Sequence, residues 1–262
     1  MSQPRPTALV TGASSGIGLE MARLLAARGY DLVLAARSAE ALDRISAQLE
    51  AGHGVRALPV AVDLAEPGGM ERLLEPIRSR GLTIDLLVNN AGFGLAGDFA
   101  QAPWPETNAM LQLNVVALTG LARALLPGML ERRRGRILNV ASTAGFFPGP
   151  HMAVYYASKA YVISFSEGLA EEVAGTGVTV TALCPGPTRM RFAERAGSAH
   201  TNLFKSPAVM DAPAVARIGL DGALRGKRLV IPGAINRLMV QSNRISPRRL
   251  TAKVAERLNR GS

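Results

Sequence analysis

The chain has 262 residues, of which 48% are hydrophobic and 19% are charged. This balance supports a large buried interior and excludes a disordered or fibrous protein, and the length is that of one α/β domain spanning residues 1–262. The net charge of +10 is unevenly placed, because residues 1–224 hold 20 Lys and Arg against 19 Asp and Glu, whereas residues 225–262 hold ten against one. We therefore predict a basic C-terminal segment and no nucleic-acid partner.

Cysteine, histidine and hydropathy set further limits. Cys184 is the only cysteine, so no internal disulfide forms, and a strand-like run starts at Thr7, which leaves no room for a signal peptide. No run approaches the ~18 uninterrupted apolar residues of a membrane-spanning helix. We expect a cytoplasmic protein. The three histidines lack metal-ligand spacing, so no metal is predicted.

Short apolar runs alternate with stretches of helical length along the chain. The strand-like runs cover 7–11, 31–36, 56–62, 84–89, 136–141, 178–184 and 228–231. Because they are continuously apolar, they are typical of strands buried on both faces, and the alternation predicts a parallel sheet covered by helices on both sides. Residues 187–212 break the pattern with Pro, Gly and Ser, so we predict an irregular substrate loop there.

A glycine-rich turn, TGASSGIG, follows the first strand from Thr11 to Gly18 and precedes a helical run. Glycines at this place let backbone N–H groups approach a pyrophosphate at the positive end of the helix. The spacing differs from the GxGxxG fingerprint, and a purely structural turn is the alternative. The predicted cofactor contacts are Gly12, Ser14, Ser15, Gly16, Ile17 and Gly18.

The second strand ends in Ala36, Arg37 and Ser38, where an acidic residue would bind the ribose hydroxyls of NAD. Ala36 leaves room for a 2′-phosphate, and Arg37 and Ser38 offer a guanidinium and a hydroxyl to hold it. NADP(H) is therefore the predicted cofactor. The alternative is that Arg37 is only a solvated charge beside a helix.

Polar residues also close the third and fourth strands, at the carboxyl edge where open α/β folds bind ligands. Asp63 can accept a hydrogen bond from an adenine amine, or else cap the next helix. Of Asn89 and Asn90, one is expected to tie neighbouring strands together, and the other to lie with Gly92 against the cofactor. The predicted contacts at this edge are Asp63, Leu64, Asn90, Ala91 and Gly92.

Proton-transfer chemistry is indicated by Tyr155 and Lys159, which are four residues apart and therefore share one face of a helix. A nearby ammonium favours the phenolate of Tyr155, whose ordinary pKa near ~10 is too high for proton transfer at neutral pH. Ser142 ends the fifth strand and can hold a substrate oxygen as charge develops on it. Asn114 is the fourth candidate, as the anchor of a water near Lys159. Tyr156 is interpreted as a packing residue.

Together these motifs resemble the short-chain dehydrogenase/reductase family. The resemblance rests on TGASSGIG, Asp63, NNAG at 89–92, Asn114, Ser142, YxxxK at 155–159 and Pro185-Gly186, and it runs from about Thr7 to Thr188. It implies a doubly wound, Rossmann-type sheet of seven parallel strands, a catalytic Asn-Ser-Tyr-Lys set, and homodimers or homotetramers. It also implies cofactor contacts from Pro185, Gly186 and Thr188, although Thr188 lies closer to the glycine than in many relatives.

Apolar residues on the same edge indicate a pocket for a hydrophobic ketone or secondary alcohol with an acyl chain or steroid-like ring. The predicted lining is Phe93, Leu95, Phe146, Phe147 and Met152, with Phe192 and Phe204 from the irregular loop. The alternative is that half of them pack the loop against the sheet. The predicted function is oxidoreduction with NADP(H), and a cofactor-binding sensor or scaffold without turnover is the competing hypothesis.

The basic segment 235–262 predicts an amphipathic helix. An apolar stripe is formed by Leu250, Val254 and Leu258. A basic stripe beside it is formed by Arg249, Lys253 and Arg257. Such a helix could lie on an anionic membrane surface, pack on a partner subunit or attract an acidic substrate such as an acyl-CoA. A solvated helix docked by its leucines is the alternative, and truncation after Gly233 is expected to change mainly solubility or membrane association.

Overall fold

The parallel sheet positions the site. The computed structural model describes residues 5–189, 208–243 and 246–259. Its strands, in chain order, are β1 (Thr7–Thr11), β2 (Asp31–Ala36), β3 (Ala57–Ala61), β4 (Leu86–Asn89), β5 (Gly135–Val140), β6 (Val178–Leu183), β7 (Thr188–Arg189), β8 (Met210–Asp211) and β9 (Leu229–Val230). Seven of them form one sheet in the order β3-β2-β1-β4-β5-β6-β9, with every pairing parallel. The predicted doubly wound sheet is confirmed.

Helices connect these strands. They are α1 (Gly16–Ala27), α2 (Ala39–His53), α3 (Gly69–Ser79), α4 (Trp104–Leu111), α5 (Leu118–Glu131), α6 (Ala153–Glu172), α7 (Ala212–Leu224), α8 (Ala234–Asn243) and α9 (Arg248–Asn259). A π-helical turn, Gln112–Ala117, joins α4 to α5, and 3-10 turns lie at Phe99–Gln101 and Thr143–Phe146. The basic segment therefore contains two helices, α8 and α9, rather than the single one predicted.

The core lies on both faces of the sheet. On one face α1, α2 and α7 pack against the strands, and on the other face α3, α5 and the end of α6 do so. Neighbouring strand residues belong to opposite clusters, as Leu9 and Val10 do. Since side chains alternate across a strand, both sets are buried, and this explains why the strand runs are apolar at every position.

The order of the strands reverses at β1, which pairs with β2 on one side and with β4 on the other. In open parallel sheets, the carboxyl ends of the strands at such a switch point border a crevice where ligands bind. The glycine-rich turn directly follows β1, and residues 90–92 directly follow β4. The topology thus brings them to one site.

The predicted irregular loop at 187–212 is described at its two ends. The segment 187–212 starts with β7 and ends with β8, which pair in parallel. Phe192 and Phe204 lie outside the described residues.

The helical run Trp104–Glu131 is the one stretch in the described part of the chain that is long and apolar enough to cross a membrane. One face of this run packs on the sheet through Leu121, Ala122 and Met129, and Asn114 is buried inside it.

Candidate active site

The turn between β1 and α1 is shaped for the close approach of a ligand. Gly12 has a φ of +67° and Gly16 one of +57°, in the left-handed region that glycine enters without strain. A Cβ on Gly18 would overlap the carbonyl oxygen of Gly12. Gly18 therefore serves the packing of the turn and does not line the cleft. The predicted contacts that do line it are Gly12, Ser14, Ser15, Gly16 and Ile17.

Two asparagines at the end of β4 hold the crevice in shape. Asn89 Nδ2 donates to Asn139 Oδ1 at 3.0 Å, which ties β4 to β5. Asn90 Nδ2 donates to the carbonyl oxygen of Thr11 at 2.9 Å, and the backbone N–H of Asn90 donates to Thr11 Oγ1 at 3.0 Å. Asn90, Ala91 and Gly92 also line the cleft. One residue thus ties strands, as expected, and the other both supports the turn and faces the cleft.

The far end of the cleft is lined by Arg37, Ser38, Asp63 and Leu64. Ser38 caps α2, because its Oγ accepts from the Ala41 N–H at 3.3 Å. Asp63 Oδ1 accepts from the Ala65 N–H at 2.9 Å, and its other oxygen lies 3.9 Å from Arg37 Nη1. More than half of the Arg37 side chain is exposed. This guanidinium can therefore turn toward an anion at that end without leaving a buried partner behind.

Ser142, Tyr155 and Lys159 meet where β5 and α6 face the cleft. The hydroxyls of Ser142 and Tyr155 are hydrogen-bonded to each other. Lys159 Nζ lies 5.9 Å from the centre of the Tyr155 ring and donates to the carbonyl oxygen of Val140 at 2.9 Å. Both Tyr155 and Lys159 are buried. Tyr156 is the next residue on the helix and packs in an apolar cluster with Met110 and Met152. This position agrees with its predicted packing role.

Burial decides the protonation of the two buried groups. It raises the pKa of the Tyr155 phenol, and the hydrogen bond with Ser142 offsets only part of that rise. It lowers the pKa of Lys159 to about 8, because a buried ammonium loses its hydration. The net shift of the phenol is thus opposite to the one expected from the Lys159 ammonium alone. At neutral pH the site holds a protonated phenol beside a lysine close to its titration range.

Asn114 is fully buried in the π-helical turn, and its side chain bonds to the loop after β4 and to α6. Its Oδ1 accepts from the Phe93 N–H at 3.1 Å, and its Nδ2 donates to the Phe93 carbonyl oxygen at 2.9 Å and to Ser158 Oγ at 3.1 Å. These bonds use both amide hydrogens and one lone pair of Oδ1, so the second lone pair of Oδ1 is the one left for the predicted water. Asn114 therefore fixes the loop after β4 beside Lys159.

The loop after β6 closes the cleft from the other side. Pro185, Gly186 and Thr188 line it. The Pro185 carbonyl oxygen accepts from the Thr143 N–H at 2.8 Å, and Thr188 Oγ1 donates to the Gly186 carbonyl oxygen at 3.0 Å. Cys184 just before them is buried, and burial raises the pKa of its thiol, which agrees with a packing role rather than a nucleophilic one.

Of the predicted catalytic and cofactor residues, all but Gly18 and Asn114 border one cleft of about 1270 Å³, large enough for a dinucleotide and a second ligand. Its apolar half is lined by Phe93, Leu95, Phe147 and Met152, as the sequence suggested. Phe146 is not among them, because it packs into a cluster with Leu118 and Val162 behind the 3-10 turn. In the described part of the chain, no group of three His, Cys, Asp or Glu side chains is placed to hold a metal ion.

Sequence reasoning missed the third wall of the cleft, which the two C-terminal helices form. From α8 and the turn after it come Met239, Ser242, Asn243 and Ser246, and from α9 come Leu250, Thr251, Val254, Ala255 and Leu258. The predicted apolar stripe thus faces the cleft. Docking on the body depends instead on buried Thr251, Ala255 and Asn259, on the next positions around the helix. The spacing i, i+4, i+8 revealed the stripe but not what it faces.

The cleft has a glycine-rich backbone turn at one end and a Ser-Tyr-Lys set at the other. This arrangement fits hydride transfer with a nicotinamide dinucleotide. The sequence profile described as short chain dehydrogenase matches residues 6–200. The chain belongs to this family of oxidoreductases, which act on carbonyl and alcohol groups.

Individual relatives agree with this assignment. A short-chain dehydrogenase from Sphingobium yanoikuyae in complex with NADPH is 35% identical, with a TM-score of 0.82 over 92% of this chain and 93% of that one. A bulky-bulky ketone specific alcohol dehydrogenase from Comamonas testosteroni is 32% identical, with a TM-score of 0.78 over 92% of each chain. A very-long-chain 3-oxoacyl-CoA reductase from Anas platyrhynchos is 37% identical over 184 residues, which are 68% of this chain and 58% of that protein. The match thus spans little more than half of that reductase.

Proposed function

We propose that this protein is an NADP(H)-dependent reductase of hydrophobic ketones, and that it also oxidises the corresponding secondary alcohols. The observation that carries the proposal is the buried Tyr155 phenol, held by Ser142 at the junction between the dinucleotide half and the apolar half of the cleft. Since burial raises the pKa of this phenol, it is protonated at neutral pH and is ready to donate. Donation is the step that carbonyl reduction requires.

The residues divide the chemistry between them. The dinucleotide, when bound, supplies the hydride for the carbonyl carbon. Ser142 and Tyr155 offer two hydroxyl donors to the carbonyl oxygen, and Tyr155 gives its proton to that oxygen as it becomes an alkoxide. The Lys159 ammonium behind the ring then stabilises the phenolate left on Tyr155. Phe93, Phe147 and Met152 exclude water from the apolar side.

The choice of NADP(H) over NAD(H) rests on the end of β2. Ala36 is small, no carboxylate follows it in the turn, and the exposed Arg37 guanidinium lines the cleft. A guanidinium suits a 2′-phosphate, whereas the ribose hydroxyls of NAD call for an acid. The relative from Sphingobium yanoikuyae, which was solved with NADPH, supports the same choice.

The test is a rate measurement with a matched tyrosine control. Oxidation of NADPH and of NADH is followed with a series of aliphatic and aromatic ketones for the wild type, for Tyr155→Phe and for Tyr30→Phe, whose phenol precedes β2 at the amino edge of the sheet. We expect faster turnover with NADPH, a loss of about 10²–10⁴-fold in Tyr155→Phe and wild-type rates in Tyr30→Phe. Binding of NADPH without turnover of any ketone would favour the sensor hypothesis.

We also propose a homodimer or homotetramer built on α5, α6 and the π-helical turn. Val116 is 54% exposed and Tyr161 is 40% exposed. The ring of Tyr161 stacks on Phe165 with 5.8 Å between centroids, and its hydroxyl contacts Thr119 Oγ1 at 2.9 Å, so the two helices present one apolar surface. An exposed apolar surface of this kind supports a contact with a second copy of the chain. Val116→Asp should lower the mass measured by light scattering to that of a monomer.

A further inference from the structure

The C-terminal helix α9 is attached to the catalytic helix and is not a loose tail. Tyr156 donates its hydroxyl to Asn259 Oδ1 at 3.0 Å, and Asn259 Nδ2 donates to the Pro150 carbonyl oxygen at 2.9 Å. Ala255 packs in the same cluster as Tyr155 and Tyr156. The last two turns of α9 therefore have a fixed position beside the proton donor.

The cleft side of α9 is apolar and only partly covered. Leu250 is 55% exposed and Val254 is 51% exposed, although both line the cleft together with Leu258. Eight residues of helix separate Leu250 from Leu258, a length of about 12 Å at 1.5 Å per residue. An extended apolar ligand lying along the cleft would cover this stripe.

The outer side of α9 carries positive charge next to the apolar stripe. Arg249, Lys253 and Arg257 each precede one residue of the apolar stripe, so their stripe is rotated by about 100° from it. All three are exposed. Elsewhere in the described chain arginines commonly have acidic partners, as Arg72 has Glu66 and Arg78 has Glu71. Within the described residues, Arg249, Lys253 and Arg257 form no ion pair.

We infer that α9 binds both halves of an amphiphilic substrate: its apolar stripe takes a fatty-acyl chain, and its basic stripe takes a phosphorylated carrier group attached to that chain, such as coenzyme A. This inference rests on the proposed function, since it names a substrate class for the same cleft. Charge complementarity favours this occupant over an uncharged ketone. An uncharged ketone would cover the apolar stripe and leave the three cations without an anion.

Two thioesters with the same acyl chain separate the contribution of the phosphates. The dissociation constants of 3-oxododecanoyl-CoA and of the uncharged 3-oxododecanoyl N-acetylcysteamine are measured on protein saturated with NADP⁺, so that no turnover occurs. The test variant combines Arg249→Gln, Lys253→Gln and Arg257→Gln. The control variant removes three exposed charges from the amino edge of the sheet, through Arg80→Gln, Arg225→Gln and Lys227→Gln.

We expect the test variant to bind the CoA thioester about tenfold more weakly, as three exposed ionic contacts imply, and to bind the uncharged thioester as the wild type does. High salt should remove the same discrimination, because about 1 M salt shortens the screening length to about 3 Å. The control variant should match the wild type for both probes. Unchanged melting temperatures and NADPH affinities show that each variant is folded.

Several results would overturn the inference: no binding of the CoA thioester by the wild type, an equal loss for both thioesters, an equal loss in the control variant, or no loss at all. Reduced binding to phosphatidylglycerol vesicles with unchanged CoA binding would also overturn it, and would assign the stripe to a membrane surface. A protein that binds the thioester through α9 but never oxidises NADPH would refute the proposed function and leave this inference standing.

Discussion

The hydroxyl of Tyr156 and the side chain of Asn259 are joined by a hydrogen bond of 3.0 Å that links residues 103 positions apart. Because Tyr156 directly follows Tyr155, this bond connects the end of the chain to the residue beside the proton donor. The expectation that the tail concerns mainly solubility or membrane association does not fit this arrangement. Truncation after Gly233 should instead remove one wall of the cleft and weaken substrate binding.

Removing the Asn259 side chain tests this link. Asn259→Ala leaves the Tyr156 hydroxyl and the Pro150 carbonyl oxygen without this partner, which costs about 1–3 kcal/mol of unfolding free energy. We expect a lower melting temperature and a KM for long-chain ketones raised about tenfold, with kcat changed less than about threefold. Gln241→Ala, on an exposed position of α8, is the control. A lower melting temperature with an unchanged KM would reduce Asn259 to a structural role.

A double-mutant cycle with Tyr156→Phe measures the coupling directly. If the two side chains act through their hydrogen bond, the double variant Asn259→Ala, Tyr156→Phe should be no less stable than the more damaged single variant, since neighbouring residues are not additive. Stability losses that simply add would show that the two residues act separately.

The pH dependence of reduction follows from Lys159. Burial lowers its pKa to about 8, whereas burial raises that of Tyr155, so the lysine is the first of the two to lose a proton as the pH rises. The value of kcat/KM for reduction should therefore be constant below pH 8 and should fall above it, because the neutral amine no longer stabilises the developing phenolate. Steady-state rates from pH 6 to 10 give the profile, with a check that NADPH and the protein are stable at each pH.

The Lys159→Arg variant provides the decisive comparison, because a guanidinium does not lose its proton in this range. If this variant binds NADPH and turns over, the fall near pH 8 should disappear from its profile. A fall that persists at the same pH would assign the titration to another group.

How far the sequence predicts this molecule depends on how local each feature is. The strands come from apolar runs of four to seven residues, and the shared face of Tyr155 and Lys159 comes from a single helical turn, so both can be predicted from spacing. The direction of the Tyr155 pKa shift cannot be predicted in this way. The four-residue spacing predicts the effect of the Lys159 charge, whereas the burial that raises the pKa depends on the whole fold. The same holds for Phe146, whose neighbour Phe147 lines the cleft while Phe146 packs behind the 3-10 turn.

The position of α9 on the body is the largest structural feature that could not be predicted from the sequence. Its two stripes follow from helical periodicity, but the periodicity gives no information on which stripe is covered. The contacts of Asn259 with residues of the catalytic region and the burial of Thr251 and Ala255 orient the helix. A partner over a hundred residues away is not encoded in any local pattern.

Gly92 offers a steric test of the active-site packing. A Cβ at this position would lie 2.8 Å from Asn114 Oδ1 and 3.4 Å from Lys159 Nζ. Gly92→Ala should therefore displace the loop after β4 and lower kcat/KM by at least about tenfold. The control is Gly168→Ala on α6, where a Cβ meets nothing within 4 Å, and which should add about 0.5–1 kcal/mol of stability because alanine favours the helix. Wild-type activity in Gly92→Ala would contradict the packing around Lys159.

The preference for a phosphorylated cofactor is tested at the end of β2. Arg37→Ala should weaken NADPH binding by about 10–100-fold, which corresponds to the ~1.5–3 kcal/mol of a charge-assisted hydrogen bond, and should leave NADH binding unchanged. Isothermal titration calorimetry gives both affinities, and Arg23→Ala on α1 is the control for loss of an exposed arginine.

Adding an acid to the same position should reverse the preference. In the double variant Ala36→Asp, Arg37→Ala, the new carboxylate can accept from both ribose hydroxyls and repels a 2′-phosphate, so NADH should bind more tightly than NADPH. An equal loss of both cofactors in Arg37→Ala would mean that the arginine supports the loop through its contact with Asp63, 3.9 Å away, and does not discriminate between them. The two variants together therefore separate a structural arginine from one that selects the cofactor.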